Sequence, residues 1–127
     1  MRSVIVFWAK EKRKINLRKE INIEFSKIEN GDIKDINTID LGVEGKNKLL
    51  NLTLQDVLDM GKKDGGNINL TILGDSQDKV SFADKSQWQK SETTIIENGK
   101  TFTQWSNISD STVTLKIEQP ISDGITN

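Results

Sequence analysis

The chain has 127 residues, of which 34% are hydrophobic, 6% aromatic and 29% charged, with a formal net charge of −1. That length suits one domain with a modest core, since single domains run to roughly 100–200 residues, and the near-neutral balance argues against a uniformly basic nucleic-acid binder. His and Cys are both absent, which excludes imidazole acid–base catalysis, thiol nucleophiles, zinc sites built on thiolate or imidazole, and disulfides.

No apolar run approaches the ~20 residues of a membrane span. The apolar stretch Val4–Ala9 is short for a signal-peptide core, and its basic residues, Lys10–Lys14, follow rather than precede it; no cleavable signal peptide is expected here. All three arginines lie in the first 19 residues. Residues 1–20 carry seven Lys/Arg against two acidic residues, whereas 21–127 carry eleven Lys against seventeen acidic residues. Two readings follow. Either a basic strand or helix docks on an acidic domain, or residues 1–19 are not native to that domain. The division expected is therefore a basic segment at 1–19, a β-rich module at 20–121 and a loose tail at 122–127.

Ile21, Ile23 and Phe25 alternate with polar residues, the period of a half-buried strand, and Glu29–Asp32 is turn chemistry. Ile36–Gly42 carries a second strand with Ile39 and Leu41 on one face, and Gly45–Asn47 turns into Leu49–Leu52. Thr53 is placed to cap a helix over about 54–60, with Asp56 three positions later in a capping-box arrangement and Leu52 and Val57 at staple spacing. Leu54, Val57 and Leu58 form its apolar face, and Gly61 stands where a left-handed C-cap belongs. Asp56 and Asp59 read as capping or solvated groups. After a loop at Lys62–Asn67, Ile68, Leu70 and Ile72 alternate, Gly74–Asp78 turns the chain, and Val80 and Phe82 continue. Asn98-Gly99 suits a type I′ hairpin between Ile95–Glu97 and Lys100–Trp105. Phe102 and Trp105 have opposite parity, so that strand is covered on both sides or bulged. Val113, Leu115 and Ile117 define the last strand, which Pro120 closes. The sum is a mainly β fold, an antiparallel sandwich or irregular β-roll of about seven or eight short strands with one short helix.

The runs Ile39–Leu41, Lys48–Asp59 and Leu70–Val80, followed in order by Trp88, Asn98-Gly99, Phe102 with Trp105, and Thr112–Ile117, resemble a module near the C-terminal end of large repetitive bacterial adhesins of the RTX type. The resemblance covers about residues 20–121. It implies type I secretion, a place outside the cell or on its surface, a role in adhesion or biofilm formation, and often calcium. Partners implied are a host or neighbouring-cell surface, or the parent adhesin's own repeats. The chain lacks the Gly-Gly-x-Gly-x-Asp nonapeptide that builds calcium-loaded β-rolls.

Calcium is the metal that a chain with only hard oxygen ligands offers to hold. Asp75 and Asp78 in their Gly-led turn are the candidate ligands, with Asp40, Glu44 and Asp84 as possible additions; the competing reading is a plain Asx turn. Trp88 and Trp105 are read as core residues, with a sugar-stacking platform as the alternative. No catalytic residues stand out: there is no phosphate-cradling glycine loop and no Gly-x-Ser-x-Gly elbow. The expectation is a non-catalytic adhesin domain that supports adhesion or caps and helps export a repeat array. The alternative is a cytosolic binding or regulatory protein whose basic N-terminal arm holds an acidic partner.

Overall fold

The alternating apolar residues become two layers of sheet in the computed structural model, which describes residues 6–9, 14–17, 22–24, 36–41 and 47–125. In chain order the elements are β1 (Val6–Ala9), β2 (Lys14–Leu17), β3 (Asn22–Glu24), β4 (Thr38–Asp40), β5 (Lys48–Leu52), α1 (Leu54–Met60), β6 (Lys63–Asp64), β7 (Asn67–Leu73), β8 (Lys79–Phe82), β9 (Trp88–Glu97), β10 (Lys100–Asn107), β11 (Val113–Glu118) and α2 (Gln119–Ser122). The large sheet runs β1–β2–β4–β7–β11–β10–β9 with β6 beside β7, and the small sheet runs β3–β5–β8. The expected turn at Glu29–Asp32, and Glu44 with the start of the Gly45–Asn47 turn, lie outside the described residues.

The fold is mainly β, as expected, with more strands than the pattern suggested and with β9 running from Trp88 where the pattern marked only Ile95–Glu97. Strand direction is the correction. The pairs β2–β4, β4–β7 and β7–β11 are parallel, as are β3–β5 and β5–β8. Among the described residues antiparallel pairing is confined to β1–β2, β6–β7 and the β9–β10–β11 meander. Of the two architectures anticipated, the irregular roll is the one that matches, and the antiparallel sandwich is not. The reason is the path of the chain: β2, β4 and β7 in the large sheet are followed by β3, β5 and β8 in the small one. Each coil therefore returns to the large sheet in the same direction. Lys14, Thr38 and Thr71 stack in one sheet, and Asn22, Lys48 and Lys79 stack in the other.

The core lies between the layers. Ile39, Ile68, Leu70, Ile72, Val113, Leu115 and Ile117 face inward from the large sheet, opposite Leu49, Leu52, Val80 and Phe82 from the small one, all buried. Leu49 and Leu52 both point inward despite their odd spacing because Asn51 takes a left-handed φ of 58° and shifts the register with β8. Among the described residues the small sheet has no strand beyond β8 to oppose β11 and β10. There α2 packs on β8, β10 and β11, and its Ile121 joins the core. Pro120 sits in the first turn of α2, where a missing N–H costs nothing. The loose tail expected from 122 does not hold for 122–125. Ser122 is buried and accepts a 2.9 Å hydrogen bond from the Trp105 indole, and Ile125 packs against the core.

The helix α1 forms where the capping pattern placed it. The Thr53 hydroxyl accepts the Asp56 N–H at 3.0 Å, and the Asp56 carboxylate accepts the Thr53 N–H at 2.9 Å, so the first turn has its orphan donors satisfied from both sides. Gly61 is the correction here: it is extended, with φ −74° and ψ 141°, not left-handed. Glycine is required for space, since a Cβ would sit 2.5 Å from Ile68 Cγ2 and 2.7 Å from the Val57 carbonyl oxygen. That closeness lets the chain leaving α1 bridge to Ile36 in parallel, with Ile36 donating to Met60 and Lys62 donating to Ile36.

Candidate functional site

The Gly74–Asp78 turn is a corner of the roll, where β7 of the large sheet crosses over to β8 of the small one. Asp78 is buried there. One carboxylate oxygen accepts the Asn47 N–H at 3.0 Å, and the other accepts the Asp75 N–H at 2.9 Å. Asn47 stands immediately before β5 as Asp78 stands immediately before β8, so the tie links equivalent positions of adjacent coils. Asn47 returns the contact through its carbonyl, which accepts the Lys79 N–H at 3.0 Å, and its side-chain amide donates to the Leu41 carbonyl. Gly74 closes the corner: its N–H donates to Glu118 at 3.0 Å, and a Cβ there would lie 2.6 Å from an Asp78 oxygen.

Burial pushes the Asp78 carboxyl above its ordinary value of 3.8; the two backbone N–H bonds pull against that shift, and the Asp75 charge adds to it. Asp75 makes an Asx turn, accepting the Gln77 N–H at 2.9 Å. Both proposed calcium ligands are thus brought together, with each Asp78 oxygen already holding a backbone amide. Asp84 lies apart as the cap of a short 3-10 turn, accepting the Ser86 N–H and hydroxyl. Asp40 lies in β4, and Glu44 is outside the described residues. Among the described residues, no group of three or more acidic side chains gathers to hold a metal ion. Asn47 and Glu118, which complete the corner, carry no local signal in the sequence, because each reaches it from another coil or sheet position.

A second turn uses the same chemistry, with Asn107 buried and the Asp110–Thr112 contacts exposed. The Asn107 side chain accepts the N–H groups of Ser109 and Asp110, and Asp110 accepts both the Thr112 hydroxyl and its N–H. The Thr112 hydroxyl, with its N–H, holds the Asp110 carboxyl below the ordinary value.

The tryptophans belong to the core. Trp88 stacks on Phe82 with ring centres 4.9 Å apart, and Trp105 meets the same ring at 5.5 Å with a 50° tilt. Both indoles are almost fully buried, so neither offers a platform for sugars. Phe102 is covered on the opposite face of β10, where Lys116 Nζ lies 5.4 Å from its ring centre. The strand is thus covered on both sides, and the irregularity in its pairing with β9 falls between Thr103 and Trp105.

Two shallow polar grooves flank α2 and share Gln119 and Asp123. One, of about 640 Å³, includes Lys100 and Glu118; the other, of about 400 Å³, includes Lys90, Glu92 and Thr94. Asp56 is a helix cap, and Asp59 accepts a hydrogen bond from Gln55 at 2.9 Å, so these two acids make no converging pair. No helix among the described residues is long and apolar enough to cross a membrane. Comparison with protein families, with curated proteins and with solved structures returns no match in any of the three.

Proposed function

We propose that the chain is a non-catalytic domain of a secreted or cell-surface adhesin, which closes the end of a repetitive β-rich array and supports adhesion. The observation that carries this reading is the architecture itself. Parallel coils stack through two sheets, and at one end the stack gives way to the antiparallel β9–β10–β11 meander with α2 filling the place of the missing small-sheet strand. A stack of parallel coils ends in open backbone and open core, so an array needs a differently built terminal unit to stay soluble. The resemblance of residues 20–121 to the terminal modules of large adhesins points the same way. The ties at the Asn47–Asp78 corner suit a mechanical part, since they hold one coil to the next by backbone amides.

The test is localisation followed by deletion in the source organism. Antibody raised against the folded chain should label intact cells, and deletion of its coding segment should reduce attachment to surfaces. Signal confined to the cytosol, with attachment unchanged, would overturn the proposal in favour of a cytosolic protein that uses its basic first segment to hold an acidic partner. Calcium is tested separately: a melting midpoint equal in calcium and in EDTA rules out a tight folded-state site at Asp75 and Asp78.

A further inference from the structure

The two sheets end differently at their C-terminal side. The small sheet ends at β8, against which α2 packs. The large sheet ends at β9, whose one neighbour among the described residues is β10. Along β9 the side chains of Glu92, Thr93, Thr94, Ile96 and Glu97 are exposed, and Ile96 is 72% exposed, the most of any large apolar residue described.

Backbone directions along this edge follow from the hairpin. Asn98 and Gly99 have φ of 52° and 78°, so Glu97 and Lys100 flank a two-residue turn and exchange both hydrogen bonds. Pairing then alternates along an antiparallel ladder. Ile95 bonds Phe102, while Ile96 opposite Thr101 and Thr94 opposite Thr103 turn their N–H and C=O away from β10. Below Thr94 the register slips, and the Thr93 N–H is taken by the Ser91 hydroxyl at 3.2 Å. The open segment is therefore Thr94–Glu97. It has no Pro and no Lys, the usual guards of an edge.

We infer that this edge pairs with the same edge of a second copy of the chain, antiparallel across a two-fold axis at Ile95. The sequence is self-complementary in that register. Thr94 exchanges hydrogen bonds with Ile96 of the copy, and Ile96 with Thr94. The two Ile95 side chains meet at the axis, in the close spacing of a non-hydrogen-bonded pair. Glu97 falls opposite Thr93, so no like charges face each other, and its carboxylate is already held by Lys116 in an ion pair. The Ile95 face is continuous with Phe102, which Lys116 covers, so the paired strands extend an apolar strip. The contact is short, so its dissociation constant is weaker than about 1 µM.

The experiment is sedimentation of the full chain over a concentration series, beside Ile96→Lys and Thr94→Pro. Wild type should rise from one chain toward two in average mass. Ile96→Lys changes a side chain open to solvent and Thr94→Pro removes an outward N–H, so both should remain folded monomers at every concentration. Because the chain has no cysteine, Ile95→Cys should form an intermolecular disulfide on oxidation, whereas Thr93→Cys should not. A wild type that stays monomeric in the millimolar range overturns the inference. So does a dimer that survives both edge substitutions, or one cross-linked equally well from position 93, since either places the contact elsewhere.

Discussion

The parallel coils and the antiparallel meander are held by different kinds of turn. At the Asn47–Asp78 corner, residues distant in sequence supply the partners, and a buried carboxylate bridges two coils. In the meander the turns are self-contained: Asn98-Gly99 folds back by left-handed φ alone, and Asn107 and Asp110 cap their own neighbours. The difference teaches what each pairing demands. An antiparallel hairpin needs only local backbone geometry, whereas parallel strands arrive after a full coil and need a long-range contact to fix their height.

The largest test of that contrast is Asp78→Ala. It strands the buried Asn47 amide and the part-buried Asp75 amide, each costing about 1–3 kcal/mol, so chemical denaturation should show a loss of about 2–6 kcal/mol. Asp110→Ala, which breaks only the exposed contacts to Thr112, should leave the midpoint nearly unchanged; a comparable loss there would erase the distinction. Next come two glycines replaced by alanine. Gly61→Ala drives a Cβ into Ile68 and the Val57 carbonyl, an overpacking cost of about 1–3 kcal/mol. Gly99→Ala meets no atom within 4 Å but must hold a φ of 78°, which costs about 1–2 kcal/mol from backbone strain alone. Thermal melts of both, with added solution structure of the hairpin, should show rearranged packing only for Gly61→Ala. Thr53→Ala removes the α1 cap and should cost about 1 kcal/mol, read by denaturant midpoint.

The smallest effect lies in pH, and its sign differs between the two turns. Asp78 has a raised folded value, so the stability linked to its protonation is fully present below the ordinary 3.8 and is lost as pH rises through the folded value. Asp110 has a lowered folded value, so its contribution is present above 3.8 and lost as pH falls through the folded value. Midpoints of wild type against Asp110→Asn should therefore converge in acid, while wild type against Asp78→Ala should diverge as pH falls from neutral toward 3.8. Parallel curves for both variants would contradict the opposition between burial at Asp78 and the Thr112 hydrogen bonds at Asp110.

Much of the local structure was legible in the residues. The capping box of α1, the Asn-Gly hairpin, the inward faces of β7 and β11 and the burial of Trp88 and Trp105 all follow from short-range rules of period, cap and turn. The candidate acids Asp75 and Asp78 were also legible as one turn. Their role was not, because Asn47 enters that corner from the preceding coil and Glu118 from β11, and a single sequence carries no sign of such meetings. Gly61 was misplaced for a related reason: a helix-ending glycine suggests a left-handed cap, while the need for it came from Ile68, seven residues on.

By itself the sequence determined which residues face inward, since alternation and capping act within a few positions of the chain. The tertiary structure alone decided strand direction. Alternating strands look the same whether paired parallel or antiparallel, and the choice rests on whether the intervening chain folds straight back or crosses to a second sheet first. From Thr38 to Phe82 it crosses, and coils result; from Trp88 to Glu118 it folds back, leaving β9 paired with β10 alone among the described residues.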